Sequence, residues 1–446
     1  MHQLKIIGNY RWTICALVFF ATTINYLDRQ VISLLKPYLE TAGLFGADPA
    51  HYESTYANIV IAFQLGFAFG MLLLGRMIDK FGTKIGYAAS LLGWSLAAIA
   101  HAFARGPVGF GVARVALGIP EAGNYPGAIK TIAEWFPKKE RALATGVAIS
   151  GTNVGAIIAP IVVPLIAVTW GWQWAFIITG AIGLAWLIFW QIKYDTPAEK
   201  FAKGILKQGE YDHILSDREE TVAADGSAFK KLKWFKLLTY RQTWAFFIGK
   251  LLTDPVWWFI LFWLPAFLKE QYGLTGTQVS FPIALVYTMT TAGSIFGGWL
   301  PKYLIERGME AYRARKTAMF IFALFPLSVL TVQYAGSFNK WFAVIIIGIA
   351  GSAHQAWSAN IFTTVSDMFP KRAVASVTGI GGMAGAVGGI MIAKLAGLLF
   401  DHYKAAGDIR VGYGIIFMIC ATAYIIAWVI MNAMVPKFKK IDLDRT

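Results

Sequence analysis

The amino-acid sequence predicts an all-α polytopic membrane protein, with twelve transmembrane helices in two six-helix halves. Three observations lead there. Hydrophobic residues make up 57% of the 446 and charged residues 15%, with a mean hydropathy of +0.54, which does not describe a soluble surface. The apolar residues are gathered into runs of about 20, the length at which a helix crosses a ~30 Å hydrocarbon layer. Finally, EWFPKKERALATG at 134–146 aligns without a gap to DMFPKRAVASVTG at 367–379, an offset of 367 − 134 = 233, so equivalent points of the two halves share a segment. Duplicated halves with a site at their interface are a carrier architecture.

The runs place spans near 12–37, 56–75, 84–104, 107–136, 141–168 and 172–194, then 243–269, 279–305, 316–335, 339–361, 373–399 and 411–435. The expected domains are an N-terminal bundle over 1–194, a linker of mixed charge over 195–241 and a C-terminal bundle over 242–446, with an amphipathic surface helix around Lys230 to Leu238. Orientation follows from Lys and Arg. The loops on the side of the termini and linker hold about 28 of them and the opposite loops about five, so both termini are expected in the cytoplasm.

Several function classes are excluded on composition. The net charge of +15 comes from short basic clusters between apolar runs, a topogenic pattern and not a nucleic-acid surface. Cys15 and Cys420 lie far apart inside apolar spans, as inert core thiols. The first apolar run lacks a small-residue cleavage site and carries Asp28 and Arg29, so it reads as a retained span. The chain has no metal-ligand cluster and no nucleophile beside a base; no enzyme, metal or cofactor is expected.

The stretch RVALGIPEAGNYPGAIKTIAEWFP at 114–137 is long enough to span yet carries Arg114, Glu121 and Lys130. Charges at that depth cost ~2.5–3.5 kcal/mol each on the mildest scales, so they face a partner or a water-filled pathway. Arg114, Gly118 and Glu121 share one helix face, the two charges ~10.5 Å apart and too distant to pair with each other. Lys130 is read as an interfacial partner of Glu134. After span 2, GRMIDKFGTK at 75–84 offers Gly75 and Gly82 as helix-ending glycines and Asp79 as a terminal carboxylate, a short brace between neighbouring helices.

Six plus six spans, the charged linker, GRMIDKFGTK and the repeated FPK segment resemble the major facilitator superfamily. NYLDR at 25–29, RxxxGxxE from Arg114 to Glu121 and PEAGNYP at 120–126 resemble its anion:cation symporter family; TDPVWWFILFWLP at 253–265, HQAWSAN at 354–360 and GIGGMAGAVGG at 379–389 resemble the hexuronate transporters within it. The resemblance implies a symporter of the bacterial inner membrane that imports a sugar-acid anion with protons. It gives Arg29 the substrate carboxylate and makes Asp28 and Glu121, with Arg114 beside them, the proton-coupling group. A guanidinium suits that task because its planar fork makes two parallel charged hydrogen bonds.

Asn25 and Tyr26 stand with Arg29 as candidate substrate contacts. The other polar residues inside apolar spans complete the list: Gln64, Asn153, Lys250, and His354, Gln355, Trp357 and Asn360 of span 10. For each a plainer reading stays open. Asp28, Arg29, Arg114 and Glu121 could form a fixed ion-pair cluster, Lys250 could be satisfied by Asp254 four residues on, and the span-10 groups could be interhelical glue. Lys394 reads as a snorkelling residue. The glycines Gly146, Gly151, Gly155 and those of 379–389 read as helix packing. The expected partners are a small anion, protons or sodium, and the bilayer, with the chain taken as a monomer. Another organic anion, such as an aldonate, aldarate or small carboxylate, remains an alternative, as does a membrane receptor.

Overall fold

The computed structural model describes residues 8–46, 48–216 and 234–441, apart from the side chains of 72, 79, 138, 139, 141–143, 366, 371, 372 and 375. In the first half the chain forms α1 (Tyr10–Thr41), α2 (Tyr52–Phe81), α3 (Thr83–Ala100), α4 (Pro107–Glu121), α5 (Asn124–Trp135), α6 (Lys138–Trp170) and α7 (Trp172–Lys193). Two short helices follow, α8 (Pro197–Ala202) and α9 (Gln208–Leu215). The second half has α10 (Arg241–Tyr272), α11 (Ser280–Glu306), α12 (Ala311–Leu324), α13 (Val332–Phe338), α14 (Lys340–Met368), α15 (Lys371–Ala405) and α16 (Ile409–Met434). No β-strand occurs among the described residues.

Ten helical segments among the described residues are long and apolar enough to cross a membrane. Two further rods are not: α1, which carries Asp28, Arg29, Lys36 and Glu40, and the α4–α5 pair, which is broken and carries Arg114 and Glu121. The exceptions are thus the two rods that supply Arg29, Arg114 and Glu121, while α10 stays apolar enough despite its Lys250–Asp254 pair.

The span read as continuous over 107–136 is divided. Pro126 has no N–H to return to residue 122 and disfavours a helical residue before it, so the α4 ladder stops at Glu121 and α5 restarts with Pro126 in its first turn, where no donor is needed. Gly123 at the joint lies against Ser90 and Leu74, too close for a side chain. Span 9 is likewise interrupted: Phe325–Thr331 is a 3₁₀ stretch with Pro326 at its second position. Of the surface helix expected near 230–238, Trp234–Thr239 is a 3₁₀ turn and 230–233 lie outside the described residues.

Small residues set the helix crossings. Gly151 and Gly155 of α6 lie directly on the α1 backbone at Phe19 and Thr23, and Gly118 of α4 lies on α2, where an added Cβ would fall 2.8 Å from the Phe67 nitrogen. Gly293 and Gly297 of α11 do the same on α14, and Gly388 of α15 on α10 at Leu251, while Gly385 and Gly389 of α15 make room for the side chains of Asp254 and Trp258. Backbones this close gain van der Waals contact in a solvent where apolar burial drives nothing. Gly146 and Gly379 pack against nothing, as does Gly75. Gly82 joins α2 to α3 at φ +82°, a conformation a side chain disfavours. The Asp79 side chain lies outside the described residues.

Hydrogen bonds and ion pairs join the halves at the end away from the termini. Lys269 of α10 bonds Glu40 of α1 at 2.7 Å, and Tyr56 of α2 donates to the Phe262 carbonyl at 2.8 Å. The Asp401 carboxylate of α15 accepts the backbone N–H groups of Glu53 and Ser54, each at 2.9 Å, and so caps the first turn of α2. Lys404 reaches Glu53 at 3.6 Å and Glu270 at 3.2 Å, while buried Lys36 holds Glu53 at 2.6 Å. Lys394, about two turns deeper on α15, donates to Asn58 at 3.4 Å.

At the opposite end the linker is pinned to the first half. Arg11 bonds Glu140 at 2.9 Å and Glu210 at 3.4 Å, and the His213 ring sits 2.8 Å from Glu140. Asp195 gathers Lys84, Lys203 and Lys200 at 2.6, 2.8 and 3.0 Å. Burial alone would raise the Asp195 pKa, but hydrogen bonds from Lys203, Lys84 and Lys200 outweigh it and hold the carboxyl well below the usual range. A depressed folded-state pKa contributes stability above the unfolded value of about 3.9 and loses it as pH falls further. Asp195→Asn should therefore lower the stability of detergent-solubilised protein by about 1–2 kcal/mol at pH 7, with a gap to wild type that narrows below about pH 4. Thermal unfolding across pH checks this.

Candidate functional site

Arg29, 19 residues into α1, turns inward to meet Glu121, the last residue of α4. Both its Nε and Nη2 donate to Glu121 Oε2 at 3.0 Å, and Nη2 also reaches Asn25 Oδ1 at 3.3 Å. A matched fork would place one bond on each carboxylate oxygen. Here both go to one, and Glu121 Oε1 is buried without a partner among the described residues. The break after Glu121 frees main-chain carbonyls, and Asn25 Nδ2 donates to that of Glu121 at 3.4 Å. Asn25, Arg29 and Glu121 thus form one cluster held by two helices.

Aromatic rings enclose the cluster. The Arg29 guanidinium lies 4.8 Å from the Phe67 ring, 5.0 Å from Tyr26, 5.4 Å from Phe63 and 5.9 Å from Trp258 of α10. Their faces partly compensate the lost hydration of a cation. Arg114 is fully buried between Phe63, at 4.7 Å, and Phe262, at 5.9 Å; Nη2 donates to the Arg29 carbonyl at 3.4 Å. Its Nε and Nη1 have no partner among the described residues, and neither has either oxygen of buried Asp28. Two guanidinium groups and two carboxyl groups therefore share one buried region, formally neutral when both carboxyl groups are ionised and positive by one for each proton taken up.

The remaining candidates fall into two sets. Among the described residues, Gln64 is buried against Gly389 of α15 with neither amide atom bonded, while Asn153 and Gln355 are half-buried and make no hydrogen bond. The other groups make contacts within their own helix or with neighbouring ones. Lys250 pairs with Asp254 at 2.8 Å and lies 4.5 Å from the Phe362 ring. His354 Nδ1 is 2.7 Å from the Tyr424 hydroxyl, its ring stacked 5.3 Å from Trp257. Asn360 donates to the Gly297 carbonyl of α11 at 2.7 Å, and Trp357 is fully buried edge-on to Tyr424. Lys130 donates to the Ile78 carbonyl at 3.0 Å, whereas Glu134 accepts from Thr83 at 2.7 Å and from the Tyr194 hydroxyl.

Phe63, Phe67 and Phe262 were not among the sequence candidates. Phe63 and Phe67 stand one turn apart beside Gln64, a spacing that marks a shared face but not what the face meets.

The family model described as Major Facilitator Superfamily matches residues 18–393. The chain belongs to that superfamily. It is 31% identical over 402 residues to the hexuronate transporter of Escherichia coli (strain K12), covering 89% of each chain. It is 26% identical over 406 residues to the D-galactonate transporter of Escherichia coli O6:H1, covering 90% of this chain and 91% of that one. Among solved structures it superposes on a D-xylose-proton symporter with a TM-score of 0.74 at 16% identity, covering 97% of this chain and 100% of that one. Membership of the superfamily makes the chain a multi-pass membrane transporter for a small molecule, not an enzyme.

Removing one partner of a buried pair strands the other charge. Arg29→Met is expected to destabilise the protein by about 3–5 kcal/mol, and Arg29→Met with Glu121→Gln by clearly less. Thermal unfolding of both variants in detergent reads the difference; equal losses would mean that the two residues do not depend on each other.

Proposed function

We propose that this protein is a proton-coupled symporter that imports a sugar-acid monoanion, a hexuronate such as glucuronate or galacturonate, by alternating access of the two halves. The observation that carries the reading is the Arg29–Glu121 pair, in which a cation is held on one carboxylate oxygen beside a second, under-bonded guanidinium. A substrate carboxylate offers Arg29 a two-oxygen match that Glu121 does not provide in this arrangement. It takes the cation from Glu121, and a proton on Glu121 then removes the repulsion between the displaced carboxylate and the incoming one.

Charge balance supplies the coupling. Protons on Asp28 and Glu121 make the region positive and draw in an anion; the anion in turn favours protonation, since linkage between two binding events is reciprocal. A bare buried Asp28 carboxylate with no hydrogen-bond partner is costly, and a proton relieves that cost. One proton per monoanion moves no net charge across the membrane, whereas two would draw on the potential at ~2.3 kcal/mol per charge per 100 mV. Sodium in the proton's role is the rival. Asn25 carbonyl and Asp28 oxygens are the groups that would meet it.

The excess of Lys and Arg on the side of the termini supports a bacterial inner-membrane protein with both termini in the cytoplasm. Bonds between the halves at the other end suit a carrier closed outward. The relative named as a D-galactonate transporter favours an aldonate as the second reading, because aldonates share the carboxylate and the chain of hydroxyls.

The test is uptake of labelled glucuronate by proteoliposomes under an inward proton gradient, with and without a protonophore. Accumulation should collapse with the protonophore. Glu121→Gln should lose more than about 90% of gradient-driven accumulation while keeping counterflow exchange, since exchange needs no net proton movement. Accumulation that follows a sodium gradient, or that survives in Glu121→Gln, would overturn the proton assignment. Uptake of galactonate without glucuronate would move the substrate to the aldonates.

A further inference from the structure

The second half carries its own buried charged pair, Lys250 and Asp254 of α10. The contacts of α10 fix the direction in which the pair points. Leu251, Pro255 and Trp258 lie against the glycines of α15, Trp257 stacks on His354 of α14, and Phe259, on the opposite side of the helix, packs on Phe417 and Tyr413 of α16. Lys250 and Asp254 stand between the α14 and α15 contacts, Lys250 over the Phe362 ring of α14 and Asp254 against Gly385 of α15. That face looks away from α16 and toward the first half. Trp258, one turn or about 6 Å beyond Asp254, is the ring that lies 5.9 Å from the Arg29 guanidinium.

On α14 the same reasoning separates two sets of polar groups. Ser352 and Asn360 bond to α11, while His354 bonds to Tyr424 and Ile361 abuts Gly249. Gln355 and Ser358 fall between these directions, on the side of Phe362; both are half-buried, and neither has a hydrogen-bond partner among the described residues. The wall facing Arg29 therefore holds a closed ion pair, Nζ to Oδ2 at 2.8 Å, with Asp254 Oδ1 buried and unbonded, and a free amide and hydroxyl nearby.

We infer that Asp254 is a specificity-determining residue: it neutralises Lys250 and presents its unbonded oxygen to the far end of the substrate, so that the carrier accepts sugar acids with a hydroxyl there and rejects those with a second carboxylate. The inference rests on the reading that Arg29 takes the first carboxylate. A hydroxyl can donate to Oδ1 and accept from Gln355, whereas a carboxylate has no proton to give and meets a like charge. Discrimination of this kind is built from repulsion of the wrong ligand as much as attraction of the right one. The chemical contrast is between a hexuronate or aldonate, charged at one end, and a hexarate, charged at both.

Binding to the purified full-length protein tests it, with labelled glucuronate displaced by unlabelled glucuronate or glucarate. Wild type should prefer glucuronate. In Asp254→Asn, an isosteric change that releases Lys250 as a free cation, the preference should fall at least tenfold. Asp254→Ser should shift it the same way. Adding Lys250→Met to Asp254→Asn should remove the gain in glucarate affinity, because the second carboxylate loses its cation; a merely structural pair would give no such reversal. Wild type that binds both acids equally, or a preference unchanged in Asp254→Asn and Asp254→Ser while glucuronate still binds, would overturn the inference and leave the proposed function standing. Wild type that binds no sugar acid overturns the proposed function and the inference with it.

Discussion

A guanidinium inside a bilayer-spanning helix has to be compensated where it stands, and the bond between Arg29 and Glu121 is the compensation on which the first half is arranged. It ties α1 to α4 at mid-depth. The break that Pro126 causes leaves the Glu121 carbonyl free beside this bond, and Asn25 meets it. The close seating of α4 on α2 through Gly118 brings Phe63 and Phe67 up to the cations. Without that approach the rings would sit a side chain farther away, and cation–π attraction falls off over such a distance.

The second half closes the same region from the other side through Trp258 and Phe262, which lie on the α10 turns that follow Asp254. Both guanidinium groups are therefore enclosed by rings from both halves. Any separation of the halves changes the dielectric around them, and the strength of every charge interaction in the cluster changes with it. A chemical event at Glu121 and a rigid-body movement of the halves are in this way expressed through one set of atoms.

Much of the fold was legible because span length is a one-dimensional signal. The helix starts at Tyr10, Thr83, Trp172 and Lys340 fall within a few residues of the expected span boundaries. What failed was local: the break in 107–136 sits at Ala122–Gly123, ahead of the proline that causes it, because a proline acts on the ladder four residues upstream. In the site, Arg114, Gly118 and Glu121 could be assigned a common face from spacing, yet the partner of Glu121 comes from another helix, which spacing does not encode. Polar residues in an apolar helix posed the same difficulty. His354 and Gln355 are adjacent in sequence and equally polar, but they differ by about 100° around α14, so that one serves Tyr424 and the other is left without a partner. Only the packed neighbours distinguish them.

The cap that Asp401 places on α2 has a mechanical consequence. The first turn of a helix in one half is completed by a side chain of the other, so the rim of the joint consists of exchangeable hydrogen bonds, beside the ring contacts of Tyr56 and Phe63 with Trp263, Trp258 and Phe262. Water can replace a lost cap, and the penalty for losing one is about 1 kcal/mol, little more than thermal energy. A hinge fastened this way releases without unfolding any helix.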